Sequence, residues 1–158
     1  RRHSFPTRRS SDLFELLFPD EYINNITERL NLYNELGNLK TEEELQAFET
    51  KLIDRFGPLP KEAKALLNSI RIKWIATHMG IEKIVMKQGK LIGYFVSDQQ
   101  SDYYNSRQFS KVLRFVQQHG NLCKMKEKET KNGLRLLLTF ENVKSISRAL
   151  EFMALMAQ

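Results

Sequence analysis

The stretch Lys51-Leu52-Ile53-Asp54-Arg55-Phe56-Gly57-Pro58-Leu59-Pro60 constrains this chain more than any other. It reads as the end of one amphipathic helix, a forced break and the start of another. Gly57 can adopt the left-handed conformation that closes a helix. Pro58 stops continuation, because its ring removes a donor and clashes with the preceding turn. Pro60 suits the first turn of the next helix, where a missing N–H costs nothing.

Hydrophobic spacing extends this helix–break–helix unit in both directions. Phe14 to Phe18 is a short apolar run that reads as an edge strand. Ile23, Ile26, Leu30 and Tyr33 recur at three- and four-residue intervals, predicting a helix that ends near Gly37. Thr41 with Glu44 forms a capping-box pattern, and Leu45, Phe48, Leu52 and Phe56 make the buried face of the helix it opens. After Pro60, Ala63, Leu66, Leu67, Ile70 and Trp74 line one side of a third helix, with Ile72 and Ile75 on another. Apolar residues on two sides predict deeper burial for it, and Gly80 closes it.

The period then changes. Ile81–Lys87 and Leu91–Val96 read as strands joined at Gln88-Gly89. Phe109, Val112, Leu113 and Val116 define a fourth helix that ends near His119-Gly120. Leu122–Glu129 and Leu134–Phe140 form a second hairpin across Lys131-Asn132-Gly133, where Asn-Gly is a favoured turn pair. Asn142 is positioned to cap a last helix carrying Val143, Ile146, Leu150 and Met153. The predicted order β-α-α-α-β-β-α-β-β-α is an α+β domain, with no βαβ alternation calling for a parallel sheet.

Arg1–Leu13 differ in kind: four arginines, three serines and no period. The run His3 to Leu13 resembles the translation of a sequencing-adapter oligonucleotide, and we set residues 1–13 apart as a non-native segment. The apolar run that follows, Leu13 to Phe18, is too short for the core of a secretory signal. The setting apart matters for charge. The whole chain has 25 Lys+Arg against 19 Asp+Glu, or +6; without residues 1–13 the balance is 21 against 18, or +3. Half the apparent basicity, and with it much of the case for a nucleic-acid partner, resides in those thirteen residues.

Residues 14–158 suit one domain with a substantial core. No apolar run approaches the ~20 residues of a membrane helix. Cys123 is alone, so an internal disulfide is excluded, in keeping with a cytoplasmic location. The seven glycines are scattered, without a phosphate-cradling loop. His78 and His119 lack metal-ligand spacing and read as helix-end residues. No catalytic, cofactor-binding or metal site is expected within these residues.

The wording of the break is more specific than its architecture. Leu52-Ile53-Asp54-Arg55-Phe56-Gly57-x-Leu59-Pro60 resembles the signature of the C-terminal domain of the bacterial transcription-repair coupling factor (Mfd) family. Pro19-Asp20-Glu21-Tyr22-Ile23 and Arg29-Leu30-x-Leu32-Tyr33 resemble its lead-in, and Met79-Gly80-Ile81-x-Lys83-Ile84 its helix-to-strand turn. The resemblance runs over roughly residues 14–85, with a looser match to the end. It implies a regulatory domain of an ATP-driven DNA translocase, with ATP and magnesium handled elsewhere in the parent chain. It also implies an autoinhibitory latch: the charged positions of the motif hold this domain on the parent's own UvrB-like module. That contact hides the surface recruiting UvrA until a stalled RNA polymerase is engaged.

On that resemblance the interface residues are Lys51, Asp54 and Arg55, which flank or oppose the Leu45-Phe48-Leu52-Phe56 stripe. Asp54 and Arg55 match the family pattern, whereas Lys51 stands where a glutamate is expected. The alternative surface is Lys124, Lys126 and Lys128, alternating on one strand face, with Lys131 and Arg135 nearby and Tyr103 and Tyr104 as candidate stacking platforms for nucleic acid. Against it stands an edge strand guarded by lysines, with Glu127 and Glu129 interleaved. The resemblance implies no DNA contact there.

Overall fold

The computed structural model describes residues 16–158. Residues 1–13, set apart above, and the start of the Phe14–Phe18 run lie outside the described residues; residues 16–18 take irregular backbone rather than a strand. The elements are α1 (Ile26–Gly37), α2 (Glu42–Phe56), α3 (Lys61–Met79), β1 (Ile81–Lys87), β2 (Lys90–Phe95), a 3-10 turn (Asp102–Asn105), α4 (Arg107–Gln118), β3 (Cys123–Thr130), β4 (Gly133–Phe140) and α5 (Ile146–Ala157). The α+β class and the helices-then-hairpins order are as expected. The chain divides within α3 into two compact units, one through Arg71 and one from Ile72.

In the first unit α2 is opened by a complete capping box: Thr41 Oγ1 accepts from the Glu44 N–H, and the Glu44 carboxylate accepts from the Thr41 N–H. Two of the helix's four orphan donors are thereby satisfied by local sequence alone. Leu45, Phe48 and Leu52 are buried on one face of α2, and Leu32 and Leu36 on α1. Arg71 reaches the α2 N-terminus as a two-pronged clamp on Glu42, with Nε–Oε1 at 2.9 Å and Nη2–Oε2 at 2.7 Å. That hydrogen bonding holds the Glu42 carboxyl below its ordinary pKa.

The break after α2 follows the predicted logic with two differences. Gly57 has φ +93 but ψ −173, an extended glycine-only conformation rather than a left-handed helical one. Pro60 precedes α3 instead of entering its first turn, its carbonyl accepting from the Lys64 N–H at 3.0 Å.

The second unit is built on one antiparallel sheet of order β1-β2-β4-β3. The inner pairing joins strands of different hairpins, with Tyr94 opposite Leu137 and Ile92 opposite Thr139. Phe95 and Phe140 are fully buried on one sheet face and carry the core: Phe95 meets Phe109 edge-on at 5.9 Å, and Phe140 meets Phe115 and Phe152 at 6.2 and 5.2 Å. The helices α4 and α5 therefore cover that face. The first hairpin turns on Gln88 and Gly89, both with positive φ, the geometry whose twist suits a two-residue connection.

Four local expectations are corrected here. In α1, Ile26 and Leu30, read as part of the helix's apolar face, are 64% and 55% exposed, and the buried positions are Leu32 and Leu36. In α4 the third buried position is Phe115, while Leu113 is 40% exposed. The last helix is capped by Ser145, whose side chain accepts from the Arg148 N–H, and not by Asn142. Asn142 instead takes φ +58 in a turn, and Val143 is buried ahead of the helix with its N–H on the Gly89 carbonyl at 2.8 Å.

Candidate functional site

Most residues that carry the sequence signature have an intrachain task. Tyr22 donates from its hydroxyl to the Gly57 carbonyl at 2.8 Å, and its ring packs on Phe56 at 5.7 Å. Tyr33 accepts from the Phe18 N–H at 2.9 Å and stacks on the Phe18 ring at 5.0 Å. Arg29 bonds the Ile23 carbonyl at 2.6 Å and Asp20 at 3.1 Å. These bonds fasten the segment around Phe18–Ile23 to α1 and to the end of α2. Partial burial raises the Tyr22 pKa, in keeping with its role as a neutral donor.

The three predicted interface residues are not equivalent. Lys51 pairs with Glu35 of α1 and lies over the Phe48 ring at 5.4 Å. Its partner explains locally how a lysine is accommodated at this position. Arg55 pairs with Glu28 of α1 and lies over the Phe56 ring at 4.8 Å. Asp54 is exposed and has no partner among the described residues. Beside it Ile53, part of the signature but not among the residues assigned to the interface from sequence, is 43% exposed. An acidic and an apolar side chain thus project from a helix end that is otherwise fastened down.

The lysine strand occupies an edge of the sheet, and Lys124, Lys126 and Lys128 are all exposed. Register places them on the face opposite Phe95 and Phe140, alongside Thr139, Leu137 and Arg135. Tyr103 and Tyr104 do not join them. Both belong to the aromatic cluster with Phe109, and Tyr103 also stacks on Phe95. Their hydroxyls donate to the Met79 and Val96 carbonyls. Burial pushes the pKa of both phenols up, Tyr103 far above the ordinary tyrosine value. The aromatic residue on the lysine face is Tyr94, with Lys83 Nζ 5.1 Å and the Arg135 guanidinium 5.5 Å from its ring centroid. Period-two alternation signals its face; only the pairing of β2 with β4 shows which residues share it. Lys131 is exposed in the turn of the second hairpin.

No group of three or more His, Cys, Asp or Glu side chains among the described residues is placed to hold a metal ion. Cys123 is buried, its thiol pushed up to about 11, and so remains protonated at neutral pH. His119 stacks on Phe115 at 4.2 Å and contacts the Phe115 carbonyl through Nδ1 at 3.0 Å, a helix-end packing role. Among the described residues, no helix is long and apolar enough to cross a membrane.

A family model described as the TRCF domain matches residues 13–106. The chain belongs to the TRCF domain family. It is 32% identical over 111 residues to the transcription-repair-coupling factor of Rickettsia prowazekii (strain Madrid E), covering 70% of this chain and 9% of that protein. It is 33% identical over 106 residues to that of Escherichia coli (strain K12), covering 67% and 9%, and 31% identical over 138 residues to that of Staphylococcus haemolyticus (strain JCSC1435), covering 84% and 11%. The chain thus spans about a tenth of the length of these relatives. Its fold is that of a solved C-terminal domain of transcription-repair coupling factor, with a TM-score of 0.61, 16% identity, and coverage of 91% of this chain and 89% of the other.

The TRCF match takes in α1 to β2 and with them Ile53, Asp54 and Tyr94; Lys124, Lys126 and Lys128 lie beyond it. Of the signature residues of this TRCF domain, Tyr22, Arg29, Tyr33 and Arg55 are held by contacts within the chain, whereas Leu30, Ile53 and Asp54 are exposed.

Proposed function

We propose that this TRCF domain is the C-terminal regulatory segment of a transcription-repair coupling factor, and that it acts as an autoinhibitory latch on the parent's UvrB-like module. In this reading the latch covers the surface that recruits UvrA, and engagement of a stalled RNA polymerase by other parts of the parent releases it. ATP and magnesium serve the translocase elsewhere in the parent chain, and the whole acts in the cytoplasm. The segment itself performs no chemistry.

The observation that carries the proposal is the selective lack of a partner at the end of α2. Every other side chain from Leu52 to Phe56 is buried, stacked or ion-paired within the chain, while Ile53 and Asp54 face outward. Lys51 and Arg55 then fix the position of α2 against α1, and Ile53 and Asp54 make the external contact.

The latch need not be strong. An exposed ion pair contributes about 0.2–1 kcal/mol. A tether within one chain supplies an effective concentration in the millimolar range, so a weak interface stays closed. A coupling of about 1–3 kcal/mol then suffices to open it. Calorimetric titration of the free chain with the separated UvrB-like module tests the tether. We expect a dissociation constant weaker than about 10 μM; nanomolar binding contradicts the account.

A further inference from the structure

We infer that the face of the β1-β2-β4-β3 sheet opposite Phe95 and Phe140 is a binding surface for single-stranded nucleic acid. Strand register places Lys83 and Lys87 of β1, Lys90 of β2, Arg135 of β4 and Lys124, Lys126 and Lys128 of β3 on this one face. Between them lie the part-exposed Val85, Ile92 and Tyr94, with Leu137 and Thr139 buried beneath the neighbouring side chains. The acidic side chains paired with these cations are Glu82, 3.3 Å from Arg135, and Glu141, 3.9 Å from Lys90. Glu127 and Glu129 alternate with the lysines and therefore point to the other face.

Charge is divided between the two units in a way the whole-chain balance conceals. Residues 72–158 carry 14 Lys+Arg against 7 Asp+Glu, a net +7, whereas residues 14–71 carry 7 against 11, a net −4. Half the cations of the second unit are on the one sheet face. Arg135 is engaged within the chain by the Phe95 carbonyl at 2.8 Å, by Glu82 and by the Tyr94 ring. Guarding of exposed strand edges accounts for lysines on β1 and β3, but not for Lys90 on an inner strand, nor for the collection of all six lysines on one side.

Shape selects the occupant. The four strands span about 14 Å, at about 4.8 Å per step. The lysines of β1 and β3 rim this width on both sides, and the part-exposed Val85, Ile92 and Tyr94 lie inward of them. A duplex offers phosphates alone and would leave these inward side chains wet. A single strand sets its phosphates on the rim and its bases inward, where a base stacks on Tyr94 by displacing one of the cations that lie over its ring. The Tyr94 hydroxyl forms no hydrogen bond among the described residues. This surface does not rest on the latch: its residues belong to the second unit, and Ile53 and Asp54 to the first.

The test is fluorescence anisotropy of a labelled fifteen-residue oligothymidylate titrated with the full chain between 20 and 150 mM salt. We expect micromolar binding at low salt, with a log–log salt slope of about −2 to −3.5, as three to five phosphate contacts on a single strand require. Combined Lys124→Gln, Lys126→Gln and Lys128→Gln weakens binding at least tenfold and flattens the slope by about 2. Tyr94→Leu weakens binding and leaves the slope unchanged, as loss of stacking demands. Combined Arg107→Gln, Arg114→Gln and Lys144→Gln removes the same charge away from the face and changes affinity less than threefold, while residues 1–13 stay constant throughout. Four results would each overturn the inference: no anisotropy change at 100 μM chain and low salt, equal losses in the two triple variants, tighter binding of a duplex of equal length, or displacement of the oligonucleotide by polyglutamate as readily as by unlabelled oligothymidylate. The last would assign the face to an acidic protein.

Discussion

Arg55 of α2 is ion-paired with Glu28 of α1 while its guanidinium lies over the Phe56 ring, so its charge is already committed inside the chain. Its neighbour Asp54 is exposed and has no partner among the described residues. Alanine at the two positions should therefore have different effects. Arg55→Ala should lower stability by about 0.2–1 kcal/mol, the range of an exposed pair, because both side chains of the pair are part-exposed. Asp54→Ala should leave stability within about 0.5 kcal/mol. Urea unfolding of the two variants checks the difference, and equal losses would mean that Asp54 has a structural task of its own.

Gly80 should tolerate no side chain. It has φ +83, and a Cβ there would fall on the Tyr103 ring, whose hydroxyl is held by the Met79 carbonyl. A left-handed conformation costs a non-glycine residue about 1–2 kcal/mol, and overpacking costs about 1–3 kcal/mol more. We expect Gly80→Ala to destabilise by at least about 2 kcal/mol. Gly37→Ala is the control: nothing lies within 4 Å of its Cβ position and its φ is not positive, so α1 should gain up to about 1 kcal/mol.

The Glu42–Arg71 clamp should make stability depend on acid pH. Hydrogen bonding to Arg71 lowers the folded pKa of Glu42 below its unfolded value. The contribution is then complete above the ordinary glutamate pKa and is lost as pH falls through the folded value. Because the Glu42 side chain is 44% exposed, solvent screening limits the effect to about 1 kcal/mol or less. Glu42→Gln should lower stability at pH 7 by that amount, and the gap to the native chain should close as pH falls through the lowered Glu42 pKa. A constant gap across the range would assign the loss to packing.

Tyr103 should act in the opposite sense. Burial raises its pKa well above 10, so the neutral phenol is the form the fold stabilises. Its contribution is complete below the unfolded tyrosine pKa and declines as pH rises beyond it. Tyr103→Phe should lose the Met79 hydrogen bond, about 0.5–1.5 kcal/mol at pH 7, and should unfold less steeply than the native chain between pH 10 and 11.

Local chemistry was legible in the sequence wherever both halves of a feature are neighbours. Thr41 and Glu44 are three residues apart, and their capping box forms as read. Asn142 failed as a cap because Val143 is drawn to the Gly89 carbonyl, more than fifty residues away, which delays α5 until Ser145. Tyr103 and Tyr104 read as exposed platforms because they stand in a polar stretch, yet their hydroxyls reach the Met79 and Val96 carbonyls. The lysine strand was visible, but its face was not: Lys83, Tyr94 and Arg135 meet Lys126 and Lys128 only through the pairing of β2 with β4. The charge division was hidden for a related reason, since it requires the boundary at Arg71 to be known. For the proposed interface, sequence grouped Lys51 and Arg55 with Asp54, and the α1 glutamates that engage the first two became apparent only in the fold.

The most direct test of the latch is an NMR titration of the isotope-labelled chain with the UvrB-like module of its own coupling factor, repeated with Asp54→Lys and Ile53→Ser. The account predicts shifts centred on Leu52 to Gly57 at submillimolar partner, absent in both variants although each stays folded. Shifts confined to the β3 lysines, or no shifts at millimolar partner, would contradict it.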